Sequence, residues 1–202
     1  MAAMLDVAII EDPSAAAVAV EPIKSRLLAS LAEPASAATL ATRLGIPRQK
    51  INYHLRSLED YGLVQVAEER QWGGLTERVM VATAASYVVS PAALGPVAAD
   101  PRRTSDRLSA SYLIALAARI VREVSTLMRR AAEARKRLAT LSLDTEISFR
   151  SAADRAAFTQ ELTDTVTRLV SRYHDGTTPG SRAHRLVIVA HPLLESSDRK
   201  EA

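Results

Sequence analysis

The sequence predicts a mainly α fold with a small β component, an α+β chain, and three observations lead there. Leu, Ile and Ala recur at helical spacing in short segments that Pro or Gly interrupts. Two runs rich in β-branched residues flank Gly73-Gly74, as the arms of a hairpin would. A stretch from about Ser105 to about Leu141 then keeps its apolar period for roughly 36 residues, the longest helix expected in the chain.

The elements follow in order. Asp12-Pro13 reads as a helix start, a capping carboxylate followed by Pro at the first helical position. Pro22 interrupts, and Ile23, Leu27, Leu28 and Leu31 form one face of a helix that ends before Pro34. Ser36 caps the next helix, with Leu40 and Leu44 turned inward, and Gly45 supplies the turn. A third helix begins at Pro47, where Ile51, Leu55 and Leu58 make a buried stripe, and Gly62 closes it. Leu63, Val64 and Val66, then Arg78 to Thr83, read as two strands with Arg70-Gln71-Trp72 at their tip; Trp72 is expected to pack under the sheet. Tyr87 to Ser90 suggest a further short strand. Pro91 to Arg103 read as a connector. In the tail, Glu146 to Phe149 suggest a strand, Ser151 to Tyr173 an amphipathic helix and Leu186 to Ala190 a buried strand, together a small β-α-β unit.

Two short helices joined at a glycine and followed by a hairpin make a winged helix-turn-helix. The expected organisation is a winged helix-turn-helix DNA-binding domain with an N-terminal arm over 1–90, a connector over 91–103, and a dimerisation and effector-binding region over 104–202. Along the long helix Leu113, Leu116, Ile120, Val124 and Leu127 form a stripe suited to packing on a second copy, a homodimer; the alternative is a helix laid across its own domain.

Composition narrows the functional classes. Of 202 residues 48% are hydrophobic and 24% charged, as in ordinary globular proteins. There is no cysteine, which excludes disulfides and thiolate sites and fits a cytoplasmic protein. No apolar run of about 18 residues occurs, so no membrane span is expected. The N-terminal segment carries Asp6, Glu11 and Asp12 without an early Lys or Arg, the wrong pattern for a secretory signal. Net charge is only +3, but residues 102–137 carry +7 and residues 1–20 carry −3. That excess is either a DNA-facing surface or a solvated helix rich in arginine.

The third helix exposes Arg48, Gln49, Lys50, Asn52, Tyr53 and Arg56, with no acidic residue among them. These are side chains that bind phosphates and base edges; Gln49 and Asn52 suit adenine and Arg48 suits guanine. Tyr53 is expected either on a sugar or thymine methyl, or filling the groove between helices. His54 borders the apolar stripe, as a phosphate contact or a core histidine. His174, His184 and His191 have no metal-ligand or catalytic spacing, so no metal, cofactor or catalytic residue is assigned.

Tyr53-His54-Leu55 and Leu58-Glu59-Asp60-Tyr61-Gly62-Leu63-Val64 carry a family resemblance. The stretch resembles the winged helix-turn-helix of ArsR-type bacterial transcriptional regulators over roughly residues 12–90, and MarR-like and PadR-like winged helices share much of it. The resemblance implies that Arg48, Gln49, Lys50, Asn52, Tyr53 and Arg56 enter the major groove of double-stranded DNA. Arg70 and Gln71 would reach the flanking backbone or minor groove. It also implies a homodimer on an inverted repeat, usually a repressor released by a ligand. The chain departs from metal-sensing members, having no cysteine and no histidine between Thr104 and Leu141. The expected signal is therefore a small organic effector or a partner protein. Competing readings are a winged helix that binds protein, a DNA-binding front end on a small catalytic tail, and an architectural DNA protein.

Overall fold

The computed structural model describes residues 4–72 and 75–193. It divides into two compact units, Met1–Leu138 and Ala139–Ala202. The expected Gly73-Gly74 turn lies outside the described residues, as does the side chain of Trp72.

The first unit opens with strand β1 (Leu5–Ile10), then α1 (Pro13–Val20) and α2 (Pro22–Ser30). Asp12 caps α1, its carboxylate accepting from the Ala15 N–H at 2.7 Å. A two-residue strand β2 (Ala35–Ser36) leads into α3 (Ala37–Leu44), and Ser36 Oγ accepts from the Thr39 N–H at 3.3 Å. Gly45 ends α3 at φ 66°, the left-handed conformation that costs a residue without Cβ least. Helix α4 (Arg48–Asp60) follows with Pro47 as its N-cap, and Gly62, also at φ 66°, turns the chain out of it.

The core is where the apolar periods of these helices converge. Leu27 of α2, Leu31 just beyond it, Leu40 of α3, and Ile51 and Leu58 of α4 are all fully buried. Strands β3 (Val64–Trp72) and β4 (Leu75–Ala82) pair antiparallel, and β2 adds to the other edge of β4 in the order β2-β4-β3. Met80 and Ala82 of β4, with Leu63 and Val64 at the start of β3, join the same core.

The structure corrects the sequence expectation at several points. The apolar N-terminal segment is a strand: β1 pairs parallel with β5 (Ala84–Val89), in register from Leu5 opposite Ala84 to Ile10 opposite Val89. A parallel partner more than 70 positions away leaves no local mark in the sequence. The segment from 91 to 103 is a folded strap of 3-10 turns, Pro91–Val97, kinked at Gly95, and Pro101–Arg103, and it starts from the fully buried Ser90.

Helix α5 spans Ala110–Glu133, shorter than the expected 105–141. Ser109 caps its start, accepting from the Tyr112 N–H at 3.1 Å. At its end Arg135 adopts φ 51°, with Arg135 N–H donating to Ala132 O at 3.0 Å and Lys136 N–H to Ala131 O at 2.8 Å. That is a Schellman stop made without glycine. Apolar residues continue at helical spacing past it, so periodicity alone ran through the stop. Arg122 Nη1 donates to Ala99 O at 3.0 Å and Arg129 pairs with Glu11, so α5 belongs with the first unit, and the chain divides at 138 rather than near 103.

In the second unit α6 (Ala152–Tyr173) forms as expected, capped by Ser151, and Phe149 packs on Phe158 with ring centroids 5.3 Å apart. The two flanking strands of the expected β-α-β unit do not form. Residues 146–149 and 186–190 enter no ladder, and Leu186, Ile188 and Val189 are half exposed. An apolar run allows a strand, but only a paired neighbour makes one.

Candidate nucleic-acid interface

Helix α4 sorts its residues by angle. Ile51, Leu55 and Leu58 face the core, whereas Arg48, Gln49, Asn52, Tyr53 and Arg56 fall within an arc of about 140° at 100° per residue. All five are exposed, and so is Lys50 at the border of that arc. Arg48, Lys50 and Arg56 make no salt bridge among the described residues, so their charges are directed to solvent. An exposed helix normally intersperses both charge signs. Here the first acidic residue of the helix is Glu59, more than two turns from its start.

His54 differs from its exposed neighbours on α4. It is 5% exposed, and neither ring nitrogen has a hydrogen-bond partner among the described residues. Its Nδ1 lies 3.9 Å from Glu21 Oε1, while Glu21 Oε2 is held at 2.7 Å by the Lys24 ammonium. Burial holds the His54 pKa below its ordinary value, outweighing the attraction of Glu21, and the Lys24 and Lys50 charges push the same way. The Lys24 hydrogen bond lowers Glu21. His54 is thus a neutral core residue beneath the exposed face, and the phosphate-contact alternative is corrected.

The hairpin places Arg70 and Gln71 at the surface. Arg70 Nη2 donates to Glu68 Oε2 at 2.9 Å, which raises the Arg70 pKa and offsets its charge locally. Glu68, Glu69 and Glu77 share the hairpin, so its far end is less cationic than expected. Midway along it Arg78 clasps Glu59 of α4, a link no local pattern announces. Arg43 Nη1 likewise ties α3 to the end of α2 through Ser30 O at 3.1 Å.

Half of the second basic segment's ten cations are engaged within the chain. Arg102 and Arg119 meet Asp100, Arg129 meets Glu11, and Arg103 and Arg122 donate to the carbonyls of Pro96 and Ala99. Those five arginines fasten α5 and the strap, whereas Arg107, Arg130, Arg135, Lys136 and Arg137 stay exposed outside these contacts, so α4 is one of two cationic surfaces open to solvent. On α5, Ala115, Ala118 and Ser125 are buried, while Leu113, Leu116, Ile120 and Val124 are half-buried and Leu127 is exposed. Among the described residues no group of three or more His, Asp or Glu side chains could hold a metal ion, and no helix is long and apolar enough to cross a membrane.

Residues 21–67 match the family model described as a helix-turn-helix domain, a span that takes in α2, α3, α4 and the start of β3. No curated protein matches the chain. The match takes in all of α4 and its exposed cationic face. Residues 21–67 form a helix-turn-helix domain, the mark of a DNA-binding transcription regulator.

Proposed function

We propose that the chain is a sequence-specific transcription regulator of the winged helix-turn-helix type, similar to ArsR-type regulators, with α4 as the recognition helix and the β3–β4 hairpin as the wing. One observation carries this reading: α4 presents Arg48, Gln49, Lys50, Asn52, Tyr53 and Arg56 to solvent with no carboxylate among them and, among the described residues, no salt bridge to the three cations. Lysine and arginine supply phosphate affinity, and the amides and guanidinium can read base edges in the major groove. The apolar stripe on α5, half-buried at Leu113, Leu116, Ile120 and Val124 and exposed at Leu127, supports a homodimer, which would set two recognition helices on half-sites about 34 Å apart. Repression relieved by a small organic effector is what the resemblance adds.

Selection of bound duplexes from a random DNA pool, followed by fluorescence anisotropy at fixed salt, tests the reading. The expected product is an inverted repeat whose affinity falls steeply as salt rises. Arg48→Ala and Lys50→Ala should each weaken binding about tenfold without lowering the melting temperature. No enriched sequence and no salt-dependent affinity would overturn the assignment and favour a winged helix that binds protein.

A further inference from the structure

Beside the first half of α4 runs an open groove lined by Pro47, Gln49, Lys50, Tyr53 and His54. Its composition differs from the rest of the recognition surface. Tyr53 is 70% exposed, an unusual placement for a large aromatic ring that no neighbour covers. It stands edge-on to His54, ring centroids 5.4 Å apart and planes at 73°. Pro47 adds to its apolar lining, and Gln49 and Lys50 to its polar lining. Burial keeps His54 uncharged at neutral pH, so this lining brings no second cation. The nearby Glu21 carboxylate is held by Lys24 and does not oppose an anionic partner.

We propose that this groove is a specificity site for thymine, taking the 5-methyl group of one thymine per half-site between Tyr53 and Pro47 over the His54 ring, with Lys50 on an adjacent phosphate. The proposal rests on the DNA-binding reading and deepens it. Among the base edges of the major groove, the thymine methyl is the distinctive apolar feature. A groove with apolar walls on an otherwise cationic face is complementary to a methyl group beside phosphates. A free small molecule fits it poorly, because such ligands are held in sites that bury most of their surface, and this groove is open along one side.

The test uses the full chain and the tightest duplex from the random-pool selection, with each thymine replaced in turn by deoxyuracil, which lacks only the methyl. At one position per half-site the replacement should reduce affinity about three- to fivefold, the worth of one buried methyl group. That response should vanish in Tyr53→Ala and persist in Tyr53→Phe, which keeps the ring; the exposed position lets both variants fold. Equal affinity for every deoxyuracil duplex overturns the proposal. So does a methyl response that Tyr53→Ala leaves intact, or one that Tyr53→Phe abolishes. Absence of binding to any duplex removes the DNA-binding reading itself, and the thymine site with it.

Discussion

Arg78 on β4 grips Glu59 on α4 at two points, Nη2 to Oε1 at 2.5 Å and Nη1 to Oε2 at 3.1 Å. This two-pronged pair joins the middle of the hairpin to the last turn of the recognition helix, fixing the angle between the two surfaces proposed to meet DNA. Both side chains are partly exposed, so solvent screens the pair, and a double-mutant cycle with Arg78→Ala and Glu59→Gln should give a coupling of about 0.5–1 kcal/mol. The effect on DNA should be larger than on folding. Arg78→Ala is expected to weaken operator binding severalfold while urea unfolding shifts little; unchanged affinity would mean that the hairpin's angle does not matter.

Gly45 allows a cleaner test of how the helix-turn-helix is built. Its φ of 66° is the left-handed conformation, and a Cβ placed there would meet nothing within 4 Å. The cost of Gly45→Ala is therefore confined to the backbone, about 1 kcal/mol, and Gly45→Asn should cost less. Equilibrium urea unfolding separates these values. A loss of several kcal/mol would show that the turn is held by packing that the geometry does not contain.

That turn was legible in the sequence because its cause is local: one glycine between two capped apolar periods. The same holds for Asp12, Ser36 and the stripe of Ile51, Leu55 and Leu58, whose burial follows from spacing alone. The exposed face of α4 was legible for the same reason, as the complement of that stripe. What failed was whatever depends on a distant partner. The pairing of Leu5–Ile10 with Ala84–Val89, the capture of Arg129 by Glu11 and the burial of His54 under Glu21 are settled by tertiary contacts. The apolar run at 186–190 failed in the opposite sense: it had the composition of a strand and found no ladder.

His54 gives the fold a pH dependence whose sign follows from its burial. Its folded pKa lies below its ordinary 6.5, so between those values the unfolded chain binds a proton that the native chain does not. Stability is then fully present above about pH 6.5 and declines as pH falls toward the folded pKa. Glu21, whose pKa is also lowered, adds a second loss in a separate window, below 4.5. His54→Leu should flatten the melting temperature between pH 7 and 5.5. At pH 7.5 it should cost little, because it replaces two unpartnered buried nitrogens with apolar atoms of similar bulk. A variant that keeps the full acid-side decline down to pH 5.5 would place the responsible group elsewhere.

Helix α5 decides the proposed assembly. Its small residues Ala115, Ala118 and Ser125 are buried, and Leu113, Leu116, Ile120, Val124 and Leu127 run along the opposite side. Deleting everything from residue 104 onward would remove a helix that the first unit itself uses, through Arg122 and Arg129, so point changes on the outer stripe are the sharper probe. Ile120→Asp or Leu127→Asp puts a carboxylate on that stripe while leaving the buried Ala115, Ala118 and Ser125 in place. Sedimentation should show a dimeric parent and monomeric variants. The variants should keep their melting profile and lose affinity for an inverted repeat by more than tenfold, since each half-site then binds alone. A monomeric parent at micromolar concentration would overturn the homodimer, and a variant that remains dimeric would move the interface off this stripe.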